Sequence, residues 1–110
     1  MIPPFAFAWA VTVAVEVPCV AALYPGQRRR MAIACALATS VTNVAMNVAL
    51  PRWLGVGLTF LLVGEIGALI LEALVYARAG RPRDWGRALA ASALANGASF
   101  SVGLLLPTTL

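Results

Sequence analysis

Apolar positions dominate this chain in four long runs, with short polar breaks between them. The runs extend from Ile2 to Tyr24, from Met31 to Leu50, from about Trp53 to Ala77 and from Trp85 to Leu106. Each has about 20 residues or more, the length that crosses roughly 30 Å of hydrocarbon at about 1.5 Å per helical residue. The breaks are Pro25-Gly26-Gln27-Arg28-Arg29-Arg30, Pro51-Arg52 and Ala79-Gly80-Arg81-Pro82-Arg83-Asp84, and Pro107 follows the last run. Pro and Gly at such points end helices and make turns. No run shows the strict alternation of a barrel strand. The pattern predicts an all-α, polytopic membrane protein, with residues 1–110 as a single transmembrane domain. Its helices cover about 2–24, 31–50, 53–77 and 85–106. Short connections make it an antiparallel four-helix bundle.

Composition narrows the class. The chain is 62% hydrophobic and 11% charged, with a mean hydropathy of +0.90. A soluble domain carries about 25% charged residues, and a small one needs polar cover for its large relative surface. These values exclude a water-soluble globular domain, a disordered tail and a small disulfide scaffold.

The net charge of +4 has a particular placement. Every basic residue is Arg, and seven of the eight flank two breaks: Arg28, Arg29 and Arg30, then Arg78, Arg81, Arg83 and Arg87. This placement excludes a nucleic-acid surface. By the positive-inside rule it predicts cytoplasmic loops at 25–30 and 78–87, with both termini outside a cell membrane. Trp9, Trp53, Trp85, Tyr24 and Tyr76 lie near run ends and are expected at the headgroup level. The first 27 residues hold no Arg or Lys, so the N-terminus is expected to be retained rather than cleaved as a signal peptide.

Three acids interrupt the apolar runs: Glu16, Glu65 and Glu72. A carboxylate near a helix centre costs about 2.5–3.5 kcal/mol on insertion scales, so each needs a reason. Each run carries a polar or small stripe at helical spacing. These are Thr12, Glu16, Cys19; Thr39 or Ser40, Asn43, Asn47; Glu65, Ala68, Glu72; and Ser92, Asn96, Ser99, Gly103. Glu16, Asn43, Glu65 and Asn96 fall within about one to one and a half turns of one depth. Facing inward, they form a midplane site of hard oxygen ligands suited to a proton or a small cation. With no Arg or Lys at that depth, Glu16 and Glu65 are expected to be neutral, or charged only with a cation bound. Glu72 is expected nearer the cytoplasmic face, as a relay within reach of a snorkelling Arg. The site residues are therefore Glu16, Glu65, Glu72, Asn43, Asn47, Asn96 and Ser99. The plainer reading is that these polar groups are glue between helices.

Other chemistries are set aside. There is no His, and the only Asp, Asp84, lies in a loop, so His-metal, haem and aspartyl-dyad sites are excluded. No cofactor or metal is expected, and no enzymatic activity. Cys19 and Cys35 form no Cys-x-x-Cys pair and are expected to pack as small apolar residues. Ala34–Ser40 can be laid on Ala91–Gly97, each after an Arg cluster, a faint sign of two parallel hairpin repeats.

Two resemblances bear on these residues. The size, the four helices and Ala14-Val15-Glu16-Val17 are similar to the small multidrug resistance transporters. Glu65 and Glu72 have no counterpart there, and the Arg bias departs from the dual topology found in that family. The wider layout of Glu16-x-Pro18, Thr42-Asn43, Asn47, Glu65, Glu72, Tyr76, Asn96, Ser99-Phe100 and Gly103 resembles small prokaryotic four-helix integral membrane proteins, which implies a bacterial inner membrane. No mechanism is carried over from either.

Two functions fit. One is a proton- or cation-coupled transporter or channel-like protein, working as a homodimer because four helices make a thin bundle. The alternative is a non-catalytic subunit that assembles or stabilises a partner membrane protein. Besides the bilayer, the expected partners are a proton or small cation, and a second copy or that partner protein.

Overall fold

Four helices form in the expected order: α1 (Pro4–Leu23), α2 (Arg28–Val44), α3 (Leu58–Ala79) and α4 (Trp85–Leu105). The structure is a computed structural model, and it describes residues 4–49, 52, 55 and 57–105. The expected helix ends at Ile2, Leu50, Trp53 and Leu106 lie outside the described residues, as does the Trp53 anchor. α1 from Ala6, α3 and α4 are long and apolar enough to cross a membrane. α2 differs, because its 17 α-helical residues begin with three Arg.

Local chemistry explains the boundaries. α2 starts earlier than the apolar pattern suggests: its three exposed Arg have good intrinsic helix propensity, although their charge is unfavourable at a helix N-terminus. It then continues as a π-helical turn over Ala45–Ala49. α3 starts later than expected. Gly55 has a φ of +70°, a left-handed conformation suited to glycine, and Gly57 is extended. Asp84 caps α4: its Oδ1 accepts from the Arg87 N–H at 3.0 Å, and its carbonyl accepts from the Ala88 N–H at 3.0 Å.

Each helix packs against the next, and α4 closes the ring on α1. Contacts fix the directions. α1 meets α4 through Glu16 and Ser99, and again through Tyr24 and Arg87, so one rises as the other falls. α2 and α3 meet at Thr42 with Glu72 and at Met46 with Gly64, again antiparallel. The Gly64 contact is close, because a Cβ there would lie 2.6 Å from Met46 Cε. Small residues permit such approaches between helices.

The two Arg-rich loops lie at one end and are clasped together. The Gln27 side chain donates to the Arg81 carbonyl at 2.6 Å and accepts from the Arg81 N–H at 2.7 Å. Above them, Val20, Tyr24, Met31, Cys35, Tyr76, Ala77, Ala88, Ala91 and Ala95 form the buried core. The positions of Tyr24 and Tyr76 correct the expectation of headgroup anchors: both are fully buried. Gly80 makes room for Tyr24, since a Cβ there would meet its ring at 2.7 Å. Trp9 and Trp85 are exposed.

A carboxyl pair at the floor of a polar cavity

Glu16 on α1 and Glu72 on α3 are each 1% exposed. They come from helices at opposite corners of the ring, and their side chains line the same cavity. Their oxygens are also held by α2 and α4. Thr39 donates to Glu16 Oε1 at 3.1 Å and Ser99 donates to Glu16 Oε2 at 2.7 Å. Thr42 donates to Glu72 Oε2 at 2.9 Å and Asn96 donates to Glu72 Oε1 at 3.0 Å. Each carboxyl is thus gripped from two sides, and all four helices meet at this layer.

The arrangement has an approximate two-fold pattern. The overlay that lays Ala34–Ser40 on Ala91–Gly97 also lays Thr39 on Asn96 and Thr42 on Ser99. Exchanging the two hairpins turns the Glu16–Thr39 bond into Glu72–Asn96, and Glu16–Ser99 into Glu72–Thr42. The two Glu residues are one position out of that register.

A cavity of about 160 Å³ opens above the pair. All seven residues singled out from the sequence line it: Glu16, Asn43, Asn47, Glu65, Glu72, Asn96 and Ser99. Their roles differ. Glu65 is half-buried in the wall, about two helical turns beyond Glu72 on α3. Asn43 and Asn47 spend their amide N–H groups on the carbonyls of Thr39 and Asn43, at 3.0 and 2.9 Å. These bonds run into the π-helical turn, a feature that often marks functional sites. An apolar groove of about 370 Å³ between α3 and α4 meets the cavity at Glu65, Asn96 and Phe100.

The cavity lies on the side of the carboxyl pair away from the Arg-rich loops. On every helix its lining residues come after the pair, counting from the loop end: Thr12 on α1, Met46 and Asn47 on α2, Glu65 on α3, Phe100 on α4. On the loop side the pair rests on the close-packed core. The pair is therefore the floor of a one-sided cavity.

Two details refine the sequence reading. The carboxyl that meets Glu16 is Glu72, with Glu65 further along. Glu72 is held by Thr42 and Asn96 rather than by an Arg. α3 runs on to Ala79, so Glu72 sits as far from Gly80 as Glu16 does from Tyr24. That equal count was a usable signal. Second, Thr39 turns to Glu16 while Ser40 accepts from the Trp9 indole at 2.9 Å. Pro18, which lacks the N–H that would meet the Ala14 carbonyl, lies with Ala14 on the exposed side of α1, away from the cavity.

Cys19 and Cys35 are free thiols, and Cys35 is fully buried with its Sγ 3.7 Å from Thr39 Oγ1. Among the described residues, no group of three or more acidic, His or Cys side chains could hold a metal ion. No protein-family model matches the sequence, and searches of curated proteins and of solved structures find no similar chain.

Proposed function

We propose that this is a small multi-pass membrane transporter or channel-like protein that couples to a proton or small cation. The observation that carries the reading is the Glu16–Glu72 pair at the cavity floor. Two carboxylates close together in a low-dielectric layer repel strongly, and no buried Arg among the described residues offsets them. The pair is relieved by holding a proton or a cation. Bonds from Thr39, Thr42, Asn96 and Ser99 fix the geometry at which that happens. Glu65, Asn43 and Asn47 line the way to it.

In this reading all four helices span the bilayer. From Met31 to Ala49, α2 and its π turn reach about 28 Å if straight, with the three Arg at the headgroup level. The clasped basic loops face the cytoplasm, both termini face outward, and the cavity opens outward. Two copies form the working unit.

Purified protein in liposomes should carry a pH- or cation-driven flux. Loss of that flux in both Glu16→Gln and Glu72→Gln supports the reading, and flux intact in both variants overturns it. The second reading is a non-catalytic subunit for a partner membrane protein. It draws on the same bonds, since a carboxyl layer tying four helices is also a clamp. It expects no flux and a partner that co-purifies.

A further inference from the structure

The apolar groove between α3 and α4 contains a carboxyl that the bundle does not use. Glu16 and Glu72 each take two donors from neighbouring helices. Glu65 is half-buried and takes none from the described residues. It stands midway along the α3 wall of the groove, which runs from Leu61 to Leu69, about 12 Å. An acid at membrane depth without a donor is costly, and a packing role alone would be served better by an apolar residue.

The surroundings of Glu65 define what would meet it. Leu62, Ile66 and Phe100 are exposed apolar side chains along the groove, so in a bilayer it opens sideways to the lipid chains. Gly97 keeps the α4 wall low, since a Cβ there would meet nothing within 4 Å. Toward the Arg-rich loops the two helices are tied together, where Ser92 Oγ donates to the Leu69 carbonyl at 2.7 Å. The volume of about 370 Å³ falls within the range of small-molecule sites, about 300–1,000 Å³. Inward, the groove joins the polar cavity at Glu65, Asn96 and Phe100. Asn96 spends its amide N–H groups on Glu72 and Ser92, so its Oδ1 is a second acceptor there without a donor from the described residues. The junction thus offers acceptors, one of them acidic, at the edge of an apolar trough. A plain acyl chain would leave both acceptors unmet, and an anion would be repelled.

We propose that this groove binds a single-chain primary amine drawn from the bilayer, with its ammonium on Glu65 and Asn96 Oδ1 and its chain along Leu62, Ile66 and Phe100. An ammonium brings three N–H donors as well as charge, and a charge-assisted bond to a carboxylate is stronger than a neutral one. The site goes beyond the Glu16–Glu72 pair and does not depend on flux.

The test is thermal unfolding of the purified protein in detergent, followed by circular dichroism. Dodecylamine at saturation should raise the unfolding temperature by at least about 4 °C. Dodecanol lacks the charge and dodecyltrimethylammonium lacks the N–H donors, so each should raise it by less than half as much. Glu65→Gln keeps the shape and removes the charge. Gly97→Leu fills the groove without a clash. Both variants should fold as the wild type does and bind dodecylamine at least about tenfold more weakly. An equal shift from dodecanol means apolar filling only and overturns the proposal, as does an equal shift from the quaternary amine. A wild-type response in either variant also overturns it. A dimer that Gly97→Leu converts to a monomer, with no dodecylamine response in the wild type, assigns the groove to a second copy instead. Wild-type protein that binds dodecylamine but carries no flux loses the transport reading and keeps this site.

Discussion

Glu16 and Glu72 sit on helices that do not pack as neighbours, yet their carboxyls are held in one layer and line one cavity. Each is held by one group from α2 and one from α4. This makes the layer both the best-connected polar feature of the fold and its most demanding one. An uncompensated charge here would destabilise the bundle, and on the proposed reading a held proton or cation would relieve it.

Replacing either member of the pair by Gln separates structure from function. Gln keeps the shape, leaves a carbonyl acceptor and adds donors for the facing carboxyl. Glu72→Gln should therefore leave thermal unfolding within a few degrees of wild type or raise it. Proton flux in liposomes should fall by about two orders of magnitude, the usual weight of a proton-transfer group.

The hydroxyl partners should behave in the opposite way to distant hydroxyls. Thr42→Val leaves a Glu72 oxygen short of a donor in a buried layer, which costs about 1–3 kcal/mol. Ser101 is exposed and bonds only the Gly97 carbonyl of its own helix, so Ser101→Ala should change stability by less than about 0.5 kcal/mol. Chemical unfolding of both variants in detergent checks the contrast.

Glycines on α3 and just past its end should rank by what surrounds them. An added Cβ at Gly80 meets the Tyr24 ring at 2.7 Å and the Tyr76 carbonyl at 3.1 Å. Gly80→Ala should cost about 1–3 kcal/mol, because the buried ring has little room to move. Gly64→Ala should cost less, since the atom it meets is the flexible end of Met46. Gly67 has nothing within 4 Å, and Gly67→Ala should stabilise by up to about 1 kcal/mol through helix propensity. The order of unfolding temperatures decides.

The clasp between Gln27 and Arg81 predicts a shared compartment for both basic loops. In a Cys19→Ser, Cys35→Ser background, Arg28→Cys and Arg83→Cys should react alike with a membrane-impermeant maleimide. Neither should label in intact cells, and both should label once the membrane is opened. Opposite behaviour of the two positions would contradict the clasp and the orientation.

Much of the site was legible because helical spacing needs no tertiary information. The stripes on each run placed Glu16, Asn43, Glu65, Asn96 and Ser99 on inward faces, and the cavity brings them together. Choosing the partner of Glu16 needed more. The estimate of depth depended on where α3 ends, and the two residues beyond Ala77 moved Glu72 from the interface to the pair. The burial of Tyr24 and Tyr76 was hidden for a different reason. Aromatic rings near run ends usually serve as interfacial anchors, and the contacts between helices that bury these two, such as Gly80 against the Tyr24 ring, leave no mark in the spacing. The choice between Thr39 and Ser40 depended on the rotation of α2, which Trp9 helps set by holding Ser40.

A cavity that lies on one side of a buried carboxyl pair also has an electrical consequence. In an energised membrane the potential falls across the low-dielectric plug below the pair as well as along the cavity above it. A full charge crossing the whole field changes energy by about 2.3 kcal/mol per 100 mV, so a cation drawn to the floor gains or loses a fraction of that. Occupancy of the pair would then follow voltage as well as concentration. The position of the floor between the two faces would set how steeply the protein reads the membrane potential.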